Sequence, residues 1–394
     1  MSNTIRHLTV IFNIDIGNKA GGAERFGLEL CRQLDAGVFA KSLCVFWQTG
    51  SATEEKHIKL LESEGISCFF ATTRADAMNS ADFFKGIASL VARQKQRAFD
   101  VIHAHHEGGA LAGLLMRRFD RRQNRPGIVL RTAHSPLPNE WGIGPVHAFL
   151  RLAVSGILFP AWLDAEIPVA DWYASLLNQR LVSRALKRPV TVIPNACSLV
   201  LVPVRNRANI TPPIIGSVGR LMPQKQYHVL IAAMPRILAV FPEAQCELVG
   251  EGDLRASLEI QAQQLGVQQH VKFLGQCDDA IEIMQRWNAF VSPSLFEGIP
   301  TVMLEAMAGG VPVIASNIPG SSDLIKDGQS GWLTEPGNLD ALADAVIDAL
   351  ENPDRAEAYA RAAQIILPRF SIQTVAKQYE ALYQQLLVRR NVRN

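Results

Sequence analysis

The stretch Ser294-Leu-Phe-Glu297-Gly-Ile-Pro-Thr-Val-Met-Leu-Glu305-Ala-Met-Ala-Gly-Gly-Val-Pro-Val-Ile-Ala-Ser316 reads as a strand end, a loop, a short helix and a second strand. Gly298, Ile299 and Pro300 make the turn, and the helix opens near Thr301, since proline suits the entry to a helix. Glu297 then stands just ahead of the helix, and Glu305, with seven residues between them, projects from its second turn. Two carboxylates so placed reach one ligand. Their oxygens accept hydrogen bonds and hold paired hydroxyls, while the free N–H groups of the helix start favour a phosphate. The plainer alternative makes Glu297 a helix cap and Glu305 a surface residue.

Outward from this unit, short apolar runs alternate with helical patterns, the pattern of parallel sheets covered by helices on both faces. Upstream of it and at its end, strands are expected at residues 214–218, 245–249, 271–274, 289–291 and 312–315. A first set is expected at 8–14, 42–47, 67–71, 101–104, 128–133, 165–170 and 190–193. Between them, residues 197–213 break the pattern with Pro203, Pro212 and Pro213 and read as a linker. Helices close the chain from about Leu339. The fold class is α/β, with two domains of the doubly wound Rossmann kind: 1–200, 201–375, and a C-terminal helix at 376–394 expected to pack back on the first domain. Parallel sheets place ligands beyond the carboxyl ends of their strands.

Bulk properties agree. A chain of 394 residues exceeds what one core usually supports. With 48% hydrophobic and 19% charged residues it is globular, and with a net charge of +2 no nucleic-acid partner is expected. Six cysteines without a C-x-x-C pair suggest neither a zinc site nor a disulfide framework, so a cytoplasmic location is expected. The N-terminus lacks signal-peptide features. The longest uncharged apolar window, twelve residues between 151 and 164, is too short to span a bilayer.

Other candidate residues follow strands. Gly216-Ser-Val-Gly219-Arg220-Leu-Met-Pro-Gln-Lys225 places Arg220 and Lys225 at the start of the next helix, where two cations would stabilise a departing diphosphate without a metal. No Asp-x-Asp pair occurs in the chain. Gly250 and Gly252 sit at a strand-to-helix turn, but Arg255 stands where a dinucleotide-binding G-x-G-x-x-G needs its last glycine. Gly21 and Gly22 open the first helix and allow close backbone approach to a bound group. His103, His105 and His106 are too alternately aimed to share a metal, with His103 and His105 on one face and His106 on the other. His134 ends another strand. From residue 146 to 158, Val146, Phe149, Leu150, Ala153, Val154, Ile157 and Leu158 make an amphipathic helical stripe. It is expected to face the core, with a membrane surface or lipid-linked acceptor meeting residues 141–163 as the alternative.

The Glu297–Glu305 stretch resembles the E-x7-E motif of the retaining glycosyltransferases of family four, whose fold is GT-B. The resemblance is strong over 214–333, and the glycine loop, His134 and Val192-Ile-Pro-Asn195 extend it. It implies that Glu297 contacts the donor sugar, Glu305 the ribose, and Arg220 and Lys225 the pyrophosphate. It further implies that Gly21, Gly22, Gly250, Gly298, Ile299 and Thr301 line the donor site, that His134 orients the sugar, and that donor and acceptor domains face each other across a cleft. The implied activity is a metal-independent, retaining transfer of a hexose from a nucleotide diphosphate sugar, UDP favoured and GDP the alternative, to a glycan, lipid-linked or small-molecule acceptor. A nucleotide-sugar epimerase and a non-catalytic nucleotide-sugar-binding subunit are the rival readings. Two departures are Ala196 after Asn195, where the family usually has glycine, and Pro319-Gly-Ser-Ser-Asp323 in place of Gly-Gly-x-Pro-Glu.

Overall fold

The computed structural model describes residues 4–14, 21–72, 80–96, 98–118, 127–134, 154–187, 190–277 and 280–393. The chain divides into two compact units, Met1–Ala196 joined by Ile372–Asn394, and Cys197–Ser371.

The first unit holds six strands: β1 (Ile5–Ile11), β2 (Phe39–Trp47), β3 (Ser67–Thr72), β4 (Val101–Ala104), β5 (Ile128–Ala133) and β6 (Ala165–Pro168). They form one sheet in the order β3-β2-β1-β4-β5-β6, every described pairing being parallel. Strand alternation sorts their side chains between two cores. Val101, Ile128 and Leu130 join Phe26, Phe39 and Ile167 on one face. Ile102, Ala104 and Val129 join Leu8, Phe46 and Phe159 on the other.

The first of these cores is completed by the end of the chain. The helix Ile372–Arg393 carries Ile372, Val375, Ala376, Tyr379, Leu382 and Tyr383 at i, i+3, i+4 and i+7 spacing, and all are buried in that cluster. Each large side chain so buried contributes about 1.5–3 kcal/mol. Glu380 of the same helix accepts the Asp35 backbone N–H at 2.7 Å.

The second unit repeats the plan with β7 (Ile214–Val218), β8 (Gln245–Val249), β9 (Val271–Gly275), β10 (Ala289–Ser292), β11 (Val313–Ser316) and β12 (Trp332–Thr334), in the order β12-β11-β10-β7-β8-β9. Both sheets thus reverse direction between their first and fourth strands, the doubly wound arrangement that opens a crevice at the carboxyl ends of those two strands.

Some local expectations are corrected. β1 begins at Ile5 and ends at Ile11 rather than running to residue 14. The β-branched run 190–193 makes no ladder; Ile193 gives only one hydrogen bond, to the Pro168 carbonyl at 3.2 Å. β12, three residues long, escaped notice because so short a run has no readable alternation. The expected stripe helix lies mostly outside the described residues, which resume at 154. There the chain makes a π-helical turn, Val154–Leu158, before the short helix Phe159–Trp162. Pro160 lacks the N–H that would continue regular helical bonding, which accounts for the widened turn.

Candidate active site

In the second unit, two loops at neighbouring strand ends are tied together. After β7 the chain passes Gly219 and the half-buried Arg220, then makes the 3-10 turn Pro223–Lys225. After β10 it passes Ser294 and reaches Glu297. Leu295 N–H donates to the Gln224 carbonyl at 2.9 Å, and Gln224 Nε2 donates to the Phe296 carbonyl at 2.8 Å. These two ties between the loops aim Lys225 Nζ at Glu297 Oε1, 2.6 Å away. Glu297 is therefore an ion-pair partner and not a helix cap. The cap position of the helix Thr301–Ala308 belongs to Pro300, whose side chain accepts nothing. Glu305 is 1% exposed, which removes the surface reading for it as well. Ile299 is buried, while Gly298 and Thr301 are partly exposed around the helix start.

Glycine makes two of these approaches possible. Gly250, after β8, has φ +133°, and a Cβ there would lie 2.1 Å from the Gly219 carbonyl oxygen. That contact stacks the Gly250 loop on the Arg220 loop, where Gly219 N–H donates to Val249 and Leu221 N–H to Glu251, both at 2.9 Å. Gly320 has φ +88°, and a Cβ there would lie 1.9 Å from the Gly298 oxygen and 2.9 Å from that of Glu297. The segment Pro319–Asp323, where the sequence departs from the family pattern, thus supports the backbone of Glu297 and Gly298. Sequence reasoning did not place Gly320 or Gln224 at the site. The Pro-Gly pair after a strand was a usable signal for the first; nothing marked the second.

The first unit assembles histidines at the ends of β4 and β5. By alternation His103, His105, Thr132 and His134 share the face covered by the terminal helix. His103 Nδ1 lies 2.7 Å from Tyr383 Oη and its Nε2 lies 2.8 Å from Thr132 Oγ1, which also meets Tyr379 Oη at 2.7 Å. His105 Nδ1 lies 3.3 Å from His134 Nε2, and His134 Nδ1 lies 3.0 Å from Asn195 Oδ1. His106 faces the opposite core, between Phe12 and Phe46, and its Nδ1 accepts the Gly109 N–H. Burial lowers the His134 pKa to about 3, against the raising effect of the Asn195 bond and with Arg131 lowering it further. Burial, then the neighbouring histidines, holds His105 well below 6.5. These rings are neutral at pH 7. Gly21 caps the helix Gly22–Gln33, and its N–H donates to Glu24 at 2.9 Å. Among the described residues no group of three His, Cys, Asp or Glu side chains is placed to hold a metal ion, and no helix is long and apolar enough to cross a membrane.

Residues 203–365 match the family described as Glycosyl transferases group 1. The chain is 27% identical over 305 residues to the phosphatidyl-myo-inositol mannosyltransferase of Mycobacterium leprae, covering 73% of each chain. It is 26% identical over 308 residues to the UDP-Gal:alpha-D-GlcNAc-diphosphoundecaprenol alpha-1,3-galactosyltransferase of Escherichia coli, covering 72% of this chain and 75% of that one. In structure it resembles HepE of Anabaena, solved with UDP and glucose, at a TM-score of 0.76 and 23% identity, covering 96% of this chain and 99% of that one.

Proposed function

We propose, from the premise that this chain is a GT-B glycosyltransferase whose residues 203–365 belong to the group 1 glycosyl transferases, that it moves a hexose from a UDP-sugar to an acceptor hydroxyl with retention at the anomeric carbon. The observation that carries this reading is the Lys225–Glu297 bond, which joins a cation and a carboxylate at the carboxyl ends of adjacent strands. UDP is favoured because HepE was solved with UDP and glucose and the galactosyltransferase of Escherichia coli is named for UDP-Gal.

The second unit is the donor domain and the first the acceptor side. Arg220 and Lys225 take the diphosphate, with the backbone of Gly250, Gly298, Ile299 and Thr301 around it. Glu297 accepts from donor-sugar hydroxyls and Glu305 from the ribose. His134 orients the sugar. As the C1–O bond to UDP breaks, its electron pair leaves with the phosphate oxygen, and the two cations stabilise that charge without a metal. The same oxygen takes the acceptor proton, and the acceptor oxygen bonds C1 on the face UDP vacates.

For the acceptor we favour a lipid-linked substrate. Two of the relatives are named for phosphatidyl-myo-inositol and diphosphoundecaprenol, and Ile157 and Trp162 of this chain are 61% and 58% exposed. Those side chains suit contact with the cytoplasmic face of a membrane.

Calorimetry with UDP, GDP, ADP and their sugars, in EDTA and in Mg²⁺, tests the donor assignment. Tight binding of UDP in EDTA is expected. Binding that needs Mg²⁺, or conversion of the UDP-sugar with no acceptor present, would contradict the proposal.

A further inference from the structure

We infer that His105 and Asn195 are positioning residues for His134, holding its ring from both edges and fixing it as the Nδ1–H tautomer with Nε2 as acceptor. The inference rests on the reading that His134 faces the donor sugar. Strand alternation puts His105 on the face of His103 and away from His106, but nothing in the sequence motifs links it to His134.

The hydrogen-bond roles follow from atom types. Asn195 Oδ1 can only accept, so His134 Nδ1 donates across the 3.0 Å contact. A neutral imidazole carries one N–H, so His134 Nε2 holds a lone pair. His105 Nδ1, at 3.3 Å, then donates to it. The hydrogen-bond line runs one way, from His105 through His134 to Asn195, and it requires His134 neutral, since a proton on its Nε2 would meet the His105 Nδ1–H. Burial supplies that condition.

His105 is itself held. Its ring centroid lies 4.3 Å from that of His103. His103 cannot turn, because Tyr383 and Thr132 occupy its two nitrogens. On the other side the helix Gly22–Gln33 closes in: a Cβ on Gly27 would lie 2.8 Å from His105 Cδ2. The side chain is 5% exposed. A ring so confined has one orientation to offer His134, and the terminal helix contributes to it through Tyr383.

Two-bond ¹H–¹⁵N spectra of histidine-labelled, ligand-free protein test the tautomer directly. A pyrrole-type Nδ1 and a pyridine-type Nε2 are expected for both His105 and His134, and Asn195→Leu should admit the Nε2–H form of His134. Kinetics test the consequence. His105→Gln carries no donor where Nδ1 stood and should lower kcat by about tenfold to a hundredfold, the order expected when a reacting group is slightly misplaced, with the donor KM changed by less than about twofold. His105→Asn restores an N–H at the Nδ1 position and should recover most of that loss. An Nε2–H His134 in the wild type would overturn the inference. So would a His105→Gln enzyme as active as wild type, or one that His105→Asn does not surpass. The spectra need no turnover, so a protein with the expected tautomers and no transferase activity would sink the functional reading alone.

Discussion

Lys225 Nζ and Glu297 Oε1 lie 2.6 Å apart, with the two side chains only 17% and 10% exposed. Their loops follow β7 and β10, strands distant in sequence that the doubly wound order makes neighbours. A cation and a carboxylate so withdrawn from water depend on each other, because removing one leaves the other's charge uncompensated.

Two consequences can be measured. Glu297→Ala is expected to lower kcat/KM by more than about a hundredfold, the scale of losing a preorganised transition-state contact, while the fold survives. A double-mutant cycle with Lys225→Met in ligand-free protein, read by urea unfolding, should give a coupling of roughly 1–3 kcal/mol. Additive effects would mean that the pair does not act as a unit.

Gly320→Ala should injure the same site from behind. The new methyl would meet the Gly298 oxygen at 1.9 Å, and φ at +88° already disfavours any side chain. The strain amounts to roughly 2–4 kcal/mol and is relieved by moving the Glu297–Gly298 backbone. The expected result is a lower melting temperature together with weaker UDP-sugar binding in calorimetry. Normal binding would detach the Pro319–Asp323 segment from the site.

The first unit should be acid-sensitive well above carboxylate pKa values. Burial lowers the pKa of His7, His106 and His134 to about 3, and those of His103 and His105 well below 6.5. Below pH 6.5 the unfolded chain takes up protons on these rings while the folded protein refuses them, so stability falls as pH drops from about 6.5 toward 3. Each ring contributes up to about 1.4 kcal/mol per pH unit in that window. Melting temperatures at pH 7.5, 5.5 and 4.5 should decline with steepening slope, and a flat profile to pH 4.5 would refute neutral burial of the cluster.

Tyr383→Phe removes the hydroxyl 2.7 Å from His103 Nδ1 and leaves that buried nitrogen unsatisfied. A loss of about 1–3 kcal/mol in unfolding free energy is expected. Loss of less than about 0.5 kcal/mol would indicate that this hydrogen bond adds nothing to the hold of the terminal helix on the first unit.

The sequence by itself determined what depends on near neighbours. Alternation located β4 at Val101–Ala104 and β7 at Ile214–Val218, and it separated His103 and His105 from His106. Spacing set Glu297 ahead of a helix and Glu305 inside it, because one turn of backbone connects them. The charge of Arg220 and Lys225 suggested a diphosphate, and resemblance then named a family and brought the role of His134 with it as an expectation. Tertiary structure decided the pairings. Strand order brought Lys225 to Glu297, and the return of the terminal helix brought Tyr383 to His103. The line from His105 through His134 to Asn195 joins three segments that only the folded sheet aligns. The physical reason is range: periodicity reports which face a residue occupies, whereas a hydrogen bond between remote segments depends on the order and register in which those faces assemble.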